Sequence, residues 1–89
     1  MRRRMIVHGY VQGVFFRAEC RSEARTLGLA GWVRNRHDGT VEAVFEGAPA
    51  RVQAMTAWMR HGPAQARVDQ VEVFEEESEG LAAFDIRHG

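Results

Sequence analysis

The chain has 89 residues, enough for one hydrophobic core and not for two, so a single domain over residues 1–89 is expected. With 45% apolar and 27% charged residues it has the composition of an ordinary globular domain, and no apolar run reaches the roughly 18 residues of a membrane span. Twelve arginines, with no lysine, balance twelve acidic residues, and a net charge of zero argues against a general nucleic-acid binder, which needs surplus cations to face phosphates.

Arg2 to Arg4 is not followed by a hydrophobic stretch long enough for a secretory signal, and a cytoplasmic location is expected. The lone Cys20 has no partner for an internal disulfide, so stability must come from packing.

In chain order, Arg2 to Val11 alternates as a strand with apolar residues on both faces, as a central strand would. After a turn at Gly13, residues Phe16, Cys20, Ala24 and Leu27 recur at helical spacing, and Gly28 ends the helix. Gly31 to Asn35 reads as a second strand. The Asp38-Gly39 pair favours a hairpin into a third strand, Val41 to Phe45, antiparallel to the second. Pro49 opens a second helix, whose expected buried stripe is Ala48, Val52, Met55 and Met59. Val68 to Phe74 is a fourth strand, in which the adjacent Val73 and Phe74 must face opposite sides or flank a bulge. Glu75 to Gly80 reads as a solvated polar connection, Arg2 to Arg4 as a solvated strand entrance, and Phe84 to Arg87 as a short last strand.

The order β-α-β-β-α-β with a short extra strand is that of a ferredoxin-like α+β sandwich, with two helices on one face of a mainly antiparallel sheet. In that topology the first and second strands are parallel, with the third between them. Their C-terminal ends share one sheet edge, which brings Asn35 to the loop between the first strand and the first helix.

That loop, from Gly9 to Phe16, has the composition of an anion cradle. Glycines permit positive φ, successive N–H groups in such turns point inward, and the following helix adds its free N–H groups and positive dipole end. Arg17 stands in the first helical turn, against the dipole, where a guanidinium fork would meet two phosphate oxygens. The blander alternative makes Gly13 a simple turn and Arg17 a solvated helix residue. Asn35 likewise has two readings. As a turn residue it bonds its own backbone; beside the cradle, its carboxamide orients a water it is too weak to deprotonate. With no nucleophile or base tied to the loop, the leaving group must depart unaided, as the carboxylate of an acyl phosphate does.

Two stretches then carry a specific likeness, Val7-x-Gly9-x-Val11-Gln12-Gly13-Val14-x-Phe16-Arg17 and Gly31-Trp32-Val33-Arg34-Asn35-x-x-x-Gly39-x-Val41, the latter followed by Gly47. With the fold pattern between them, the chain resembles the acylphosphatase family over nearly all its length. The resemblance implies hydrolysis of acyl phosphates to a carboxylate and inorganic phosphate, without metal, cofactor or covalent phosphoenzyme. It also implies a phosphate-binding loop of Tyr10, Val11, Gln12, Gly13 and Val14, with Arg17 and Asn35 as catalytic residues. Arg36 stands where some relatives carry a small hydroxyl residue.

Other singular residues read more plainly. Cys20 fits the core, Trp32 and Trp58 read as packing residues, and His8, His37, His61 and His88 offer no ligand pair for a metal. Tyr10 and Phe15 are candidates for lining the acyl side. A small-molecule acyl phosphate is the expected partner, with phosphate as product, no nucleic acid, no membrane, and a monomeric chain. Two rivals keep the same fold: a module that binds phosphate without turnover, and an RNA-binding sheet. The second is opposed by neutral charge and by a third strand with a single aromatic ring.

Overall fold

Alternation along the first strand divides its side chains between two unlike surfaces, and the rest of the chain packs on that division. The structure, a computed structural model, describes residues 1–88. Its elements are β1 (Arg2–Tyr10), α1 (Phe16–Thr26), β2 (Ala30–Asn35), β3 (Val41–Glu46), α2 (Pro49–Met59), β4 (Arg67–Glu76) and β5 (Phe84–Ile86). The sheet order is β4-β1-β3-β2-β5, with β1 and β2 each antiparallel to the intervening β3, β4 antiparallel to β1, and β5 parallel to β2. This is the expected ferredoxin-like α+β sandwich.

Both helices close over one face of the sheet. Met5 and Val7 of β1, Val33 of β2, Val41, Ala43 and Phe45 of β3, and Phe84 of β5 meet Phe16, Cys20 and Ala24 of α1 and Val52, Met55 and Met59 of α2 in one core. Stacked rings of Phe45 and Phe84, 5.5 Å apart, anchor the β5 side, and an edge-on contact of Phe16 with Trp58 joins the helices. Burial pushes the Cys20 thiol pKa up, which keeps it protonated as core filler. The first helix ends as glycine allows: Gly28, at φ 67°, donates to Arg25 O while Leu29 donates to Ala24 O, the paired bonds of a Schellman motif. In the second helix the stripe differs from expectation. Ala48 is the exposed residue before the first turn, and Thr56, which donates back to Val52 O, takes the buried place.

The other face has no helix over it, yet Val44 is fully buried there and Ile6 nearly so. Register explains why. One row across the strands reads Phe74, Arg4, Val44, Trp32, and its neighbour Glu72, Ile6, Glu42, Arg34. Arg4 lies over the Phe74 ring and bonds Glu76 and Glu42; Arg34 bonds Glu42, and Arg87 lies over Trp32. These long side chains cover the apolar residues with their stems while pairing their heads.

Two expectations are corrected where β1 begins and β4 ends. Arg2 to Arg4 is not a solvated entrance: Arg2 is buried, bonding Glu46 at 2.6 Å and Glu76 at 2.9 Å, and Arg3 bonds Glu75 and Thr56. The glutamates from Glu75 to Glu79 are correspondingly not a simple solvated run, since Glu75 and Glu76 belong to β4. Opposite charges placed on neighbouring strands by register satisfy each other, which a reading along one strand misses. Val73 and Phe74 face opposite sides, one of the two readings open to them, and the register of β1 with β4 shifts instead at the far end of the pair, between His8 and Gly9.

Candidate active site

At the C-terminal ends of β1 and β2 the sheet opens into a cleft of about 450 Å³. Its shape begins at Gly9, where β1 leaves its register with β4. The backbone of Arg67 passes so near that a Cβ on Gly9 would collide with Arg67 O, so only glycine keeps the strands paired at the point where β1 becomes a loop. Gly13 then turns with φ 75°, and Phe15 follows at φ 65°, ψ 19°, left-handed although not glycine. Such a conformation costs on the order of 1–2 kcal/mol for an ordinary residue. Phe15 supplies no side-chain cap to α1, and Glu19 N, donating to Phe15 O, makes the first helical bond. Among the described residues the backbone N–H groups from Gln12 to Ala18 donate to no protein acceptor.

The sequence-predicted residues divide between the cleft and its frame. Val11, Gly13, Arg17 and Asn35 line the cleft. Tyr10 is exposed at the end of β1 and outside the lining, and Val14 is buried in the core beneath it. Gln12 points away: its amide Nε2 donates to Arg36 O at 2.8 Å and Thr40 O at 2.9 Å. Both carbonyls belong to the turn that follows Asn35, where Thr40 O also accepts Arg36 N. Gln12 thus ties the loop to the hairpin that carries Asn35.

Asn35 ends the row Val71, Val7, Val41, Asn35 on the helix-covered face, so its side chain points where core residues point. Its Oδ1 is buried without a hydrogen-bond partner. The turn duty open to it in the sequence is performed by Asp38, whose Oδ1 accepts from Thr40 N and Thr40 Oγ1. Those bonds hold the Asp38 carboxyl below its usual pKa. A buried acceptor left unsatisfied costs about 1–3 kcal/mol, so an orphan in a cleft invites a ligand or water as its partner.

Arg17, on the first turn of α1, has no hydrogen-bond or ion-pair partner among the described residues, and neither has Arg21 one turn on. Arg36 pairs with Asp38 at 3.6 Å, outside the cleft. The rest of the lining is Phe15, Phe16, Ala18, Ile86 and His88. Phe15 was foreseen as an acyl-side candidate; Arg21, Ile86 and His88 were not. For Arg21 a signal existed, its i,i+4 spacing from Arg17. For Ile86 and His88 none did, because their approach depends on β5 pairing beside β2. His8 instead lies 2.7 Å from Glu72, and among the described residues no three His, Cys, Asp or Glu side chains cluster as metal ligands.

What fold and cleft define together is a ferredoxin-like sandwich with unpartnered arginines and free loop N–H groups at the ends of two parallel strands. The acylphosphatase family model matches residues 3–86, and the chain belongs to the acylphosphatase family. It is 54% identical over 86 residues to the acylphosphatase of Thermococcus kodakarensis, covering 97% of this chain and 94% of that one. The crystal structure of acylphosphatase from Bacillus subtilis superposes with a TM-score of 0.93 at 38% identity, covering 97% of each chain. Full-length HypF in its phosphate- and nucleotide-bound form contains a similar unit, with a TM-score of 0.90 at 26% identity; the match spans 97% of this chain and 11% of that protein.

Proposed function

We propose that this member of the acylphosphatase family hydrolyses acyl phosphates in the cleft, with residues 1–89 acting as one catalytic domain. The loop from Tyr10 to Val14 and the first turn of α1 hold the phosphoryl oxygens through backbone N–H groups. Arg17 adds a bidentate charge-assisted clamp, and Asn35 aligns the attacking water. A bond forms from the water oxygen to phosphorus as the bond from phosphorus to the acyl oxygen breaks; its electron pair leaves on the carboxylate, and the water's proton passes to a phosphate oxygen or to solvent. Catalysis on this reading is positioning and electrostatic stabilisation, which suits a leaving group that needs no protonation.

The observation carrying the proposal is the convergence, in one cleft, of an unpartnered guanidinium, a run of undonated N–H groups and a buried amide oxygen without a partner. The buried Asn35 Oδ1 is the unfavourable one as it stands, and an acyl phosphate with its water would satisfy all three. Its test is phosphate release from benzoyl phosphate by the folded wild type, Arg17→Ala and Asn35→Ala. Wild-type turnover retained by both variants would overturn the assignment. Saturable phosphate binding with no turnover in the wild type would favour a binding module instead.

A further inference from the structure

We infer that the acyl half of this cleft recognises a second anion, and that the substrate is an acyl phosphate whose acyl chain carries a carboxylate or phosphate, held by Arg21. The inference rests on the phosphoryl assignment above and extends it along α1. Arg17, Arg21 and Arg25 succeed one another at i,i+4 on one side of the helix. No acid stands at i±3 or i±4 from Arg17 or Arg21, so the like-charge repulsion of each pair is unrelieved. Arg25 is committed, donating from Nε and Nη2 to Phe84 O at 3.3 and 3.0 Å. Arg21 is committed to nothing among the described residues, although it lines the cleft.

Elsewhere the protein leaves few guanidinium groups idle. Arg2, Arg3, Arg4, Arg36 and Arg67 are in ion pairs, Arg51 bonds a carbonyl, and Arg87 lies over a ring. Arg60, exposed at the end of α2, is the further case without a partner among the described residues. An uncharged acyl group would leave the Arg21 guanidinium with nothing to bond in a cleft also lined by Phe15 and Ile86. A charged one completes it. The helix rises about 6 Å from Arg17 to Arg21, roughly the distance from phosphorus to the distal carbon of a four-carbon acyl group, five bonds that each advance about 1.25 Å at bond angles of about 110°.

The test compares fumaryl phosphate, whose trans double bond holds the distal carboxylate away from the anhydride, with crotonyl phosphate, of the same length and geometry but uncharged at the far end. A third substrate with a distal phosphate separates the two anion types. The measured quantity is the ratio of kcat/KM for the charged over the uncharged substrate, in wild type, Arg21→Gln, Arg21→Lys and Arg17→Ala, with folding checked by thermal unfolding. Arg21→Gln is expected to lower the ratio about tenfold for at least one anion, Arg21→Lys to retain part of it, and added salt to erode it. A ratio unchanged by Arg21→Gln for both anions, with Arg17→Ala inactive on all substrates, overturns this inference alone. Full activity of Arg17→Ala overturns the phosphoryl assignment and the inference together.

Discussion

Two ends of one sheet hold the same chemical device in opposite states. At one edge the Glu46 carboxylate accepts from Arg2 at 2.6 Å and from the successive backbone N–H groups of Glu79, Gly80 and Leu81 at 2.8 to 3.0 Å. At the other edge a loop again presents successive N–H groups beside an arginine, but no side chain of the described residues fills it. The comparison teaches that an arginine and a nest of amides are not in themselves a binding site. They are structure when the chain supplies the anion, and a site when it does not.

The largest effect expected from breaking this comparison is at Arg17. Arg17→Ala should lower kcat/KM for benzoyl phosphate by about three orders of magnitude, as loss of a transition-state arginine does, and abolish competitive inhibition by phosphate. Its unfolding midpoint should stay near wild type, because no hydrogen bond or ion pair among the described residues is lost; a large drop in stability would assign Arg17 a structural role. Asn35→Ala comes next, with kcat about a hundredfold lower and KM little changed. Stability should hold or rise as an orphaned buried acceptor disappears, and a clear loss measured by denaturant titration would contradict that account.

At the filled edge the expected effects reverse. Burial alone would raise the Glu46 pKa, but the Glu79 N–H, the Arg2 guanidinium and the N–H groups of Leu81 and Gly80 together hold it at about 2, down from 4.5. A carboxylate depressed this far contributes on the order of 3 kcal/mol, present above its unfolded pKa and lost as pH falls from 4.5 through about 2. Glu46→Gln should therefore cost about 2–3 kcal/mol at pH 7, flatten the fall of stability across that acid window, and leave kcat at 25 °C near wild type. An unchanged acid slope would show that the nest does not hold a charge. Gln12→Ala, which cuts the tie between loop and hairpin, should have the smallest effect. A roughly tenfold loss in kcat through a mispositioned Asn35 is expected, with a minor change in stability; a change confined to KM would mean that Gln12 meets substrate directly.

Much of this protein was legible in order along the chain. Phe16, Cys20 and Ala24 at helical spacing, Asp38-Gly39 at the hairpin and Gly28 at a helix end report interactions among near neighbours, and these determined element types and the β-α-β-β-α-β order. The order in turn constrained the topology enough to bring Asn35 to the loop before Arg17. The sequence by itself thus determined the fold class, the family resemblance and the nomination of two site residues. What only the tertiary structure decided concerns partners. Register matched Arg2 with Glu46 and Glu76, far apart in the chain; Asp38 took the turn bonds and left Asn35 Oδ1 unsatisfied; Gln12 turned to the hairpin, and the pairing of β5 beside β2 brought Ile86 and His88 to the cleft. The physical reason is that a polar group's role depends on whether its hydrogen bonds are satisfied, and satisfaction is settled by contacts across strands and between loops that periodicity along the chain does not encode.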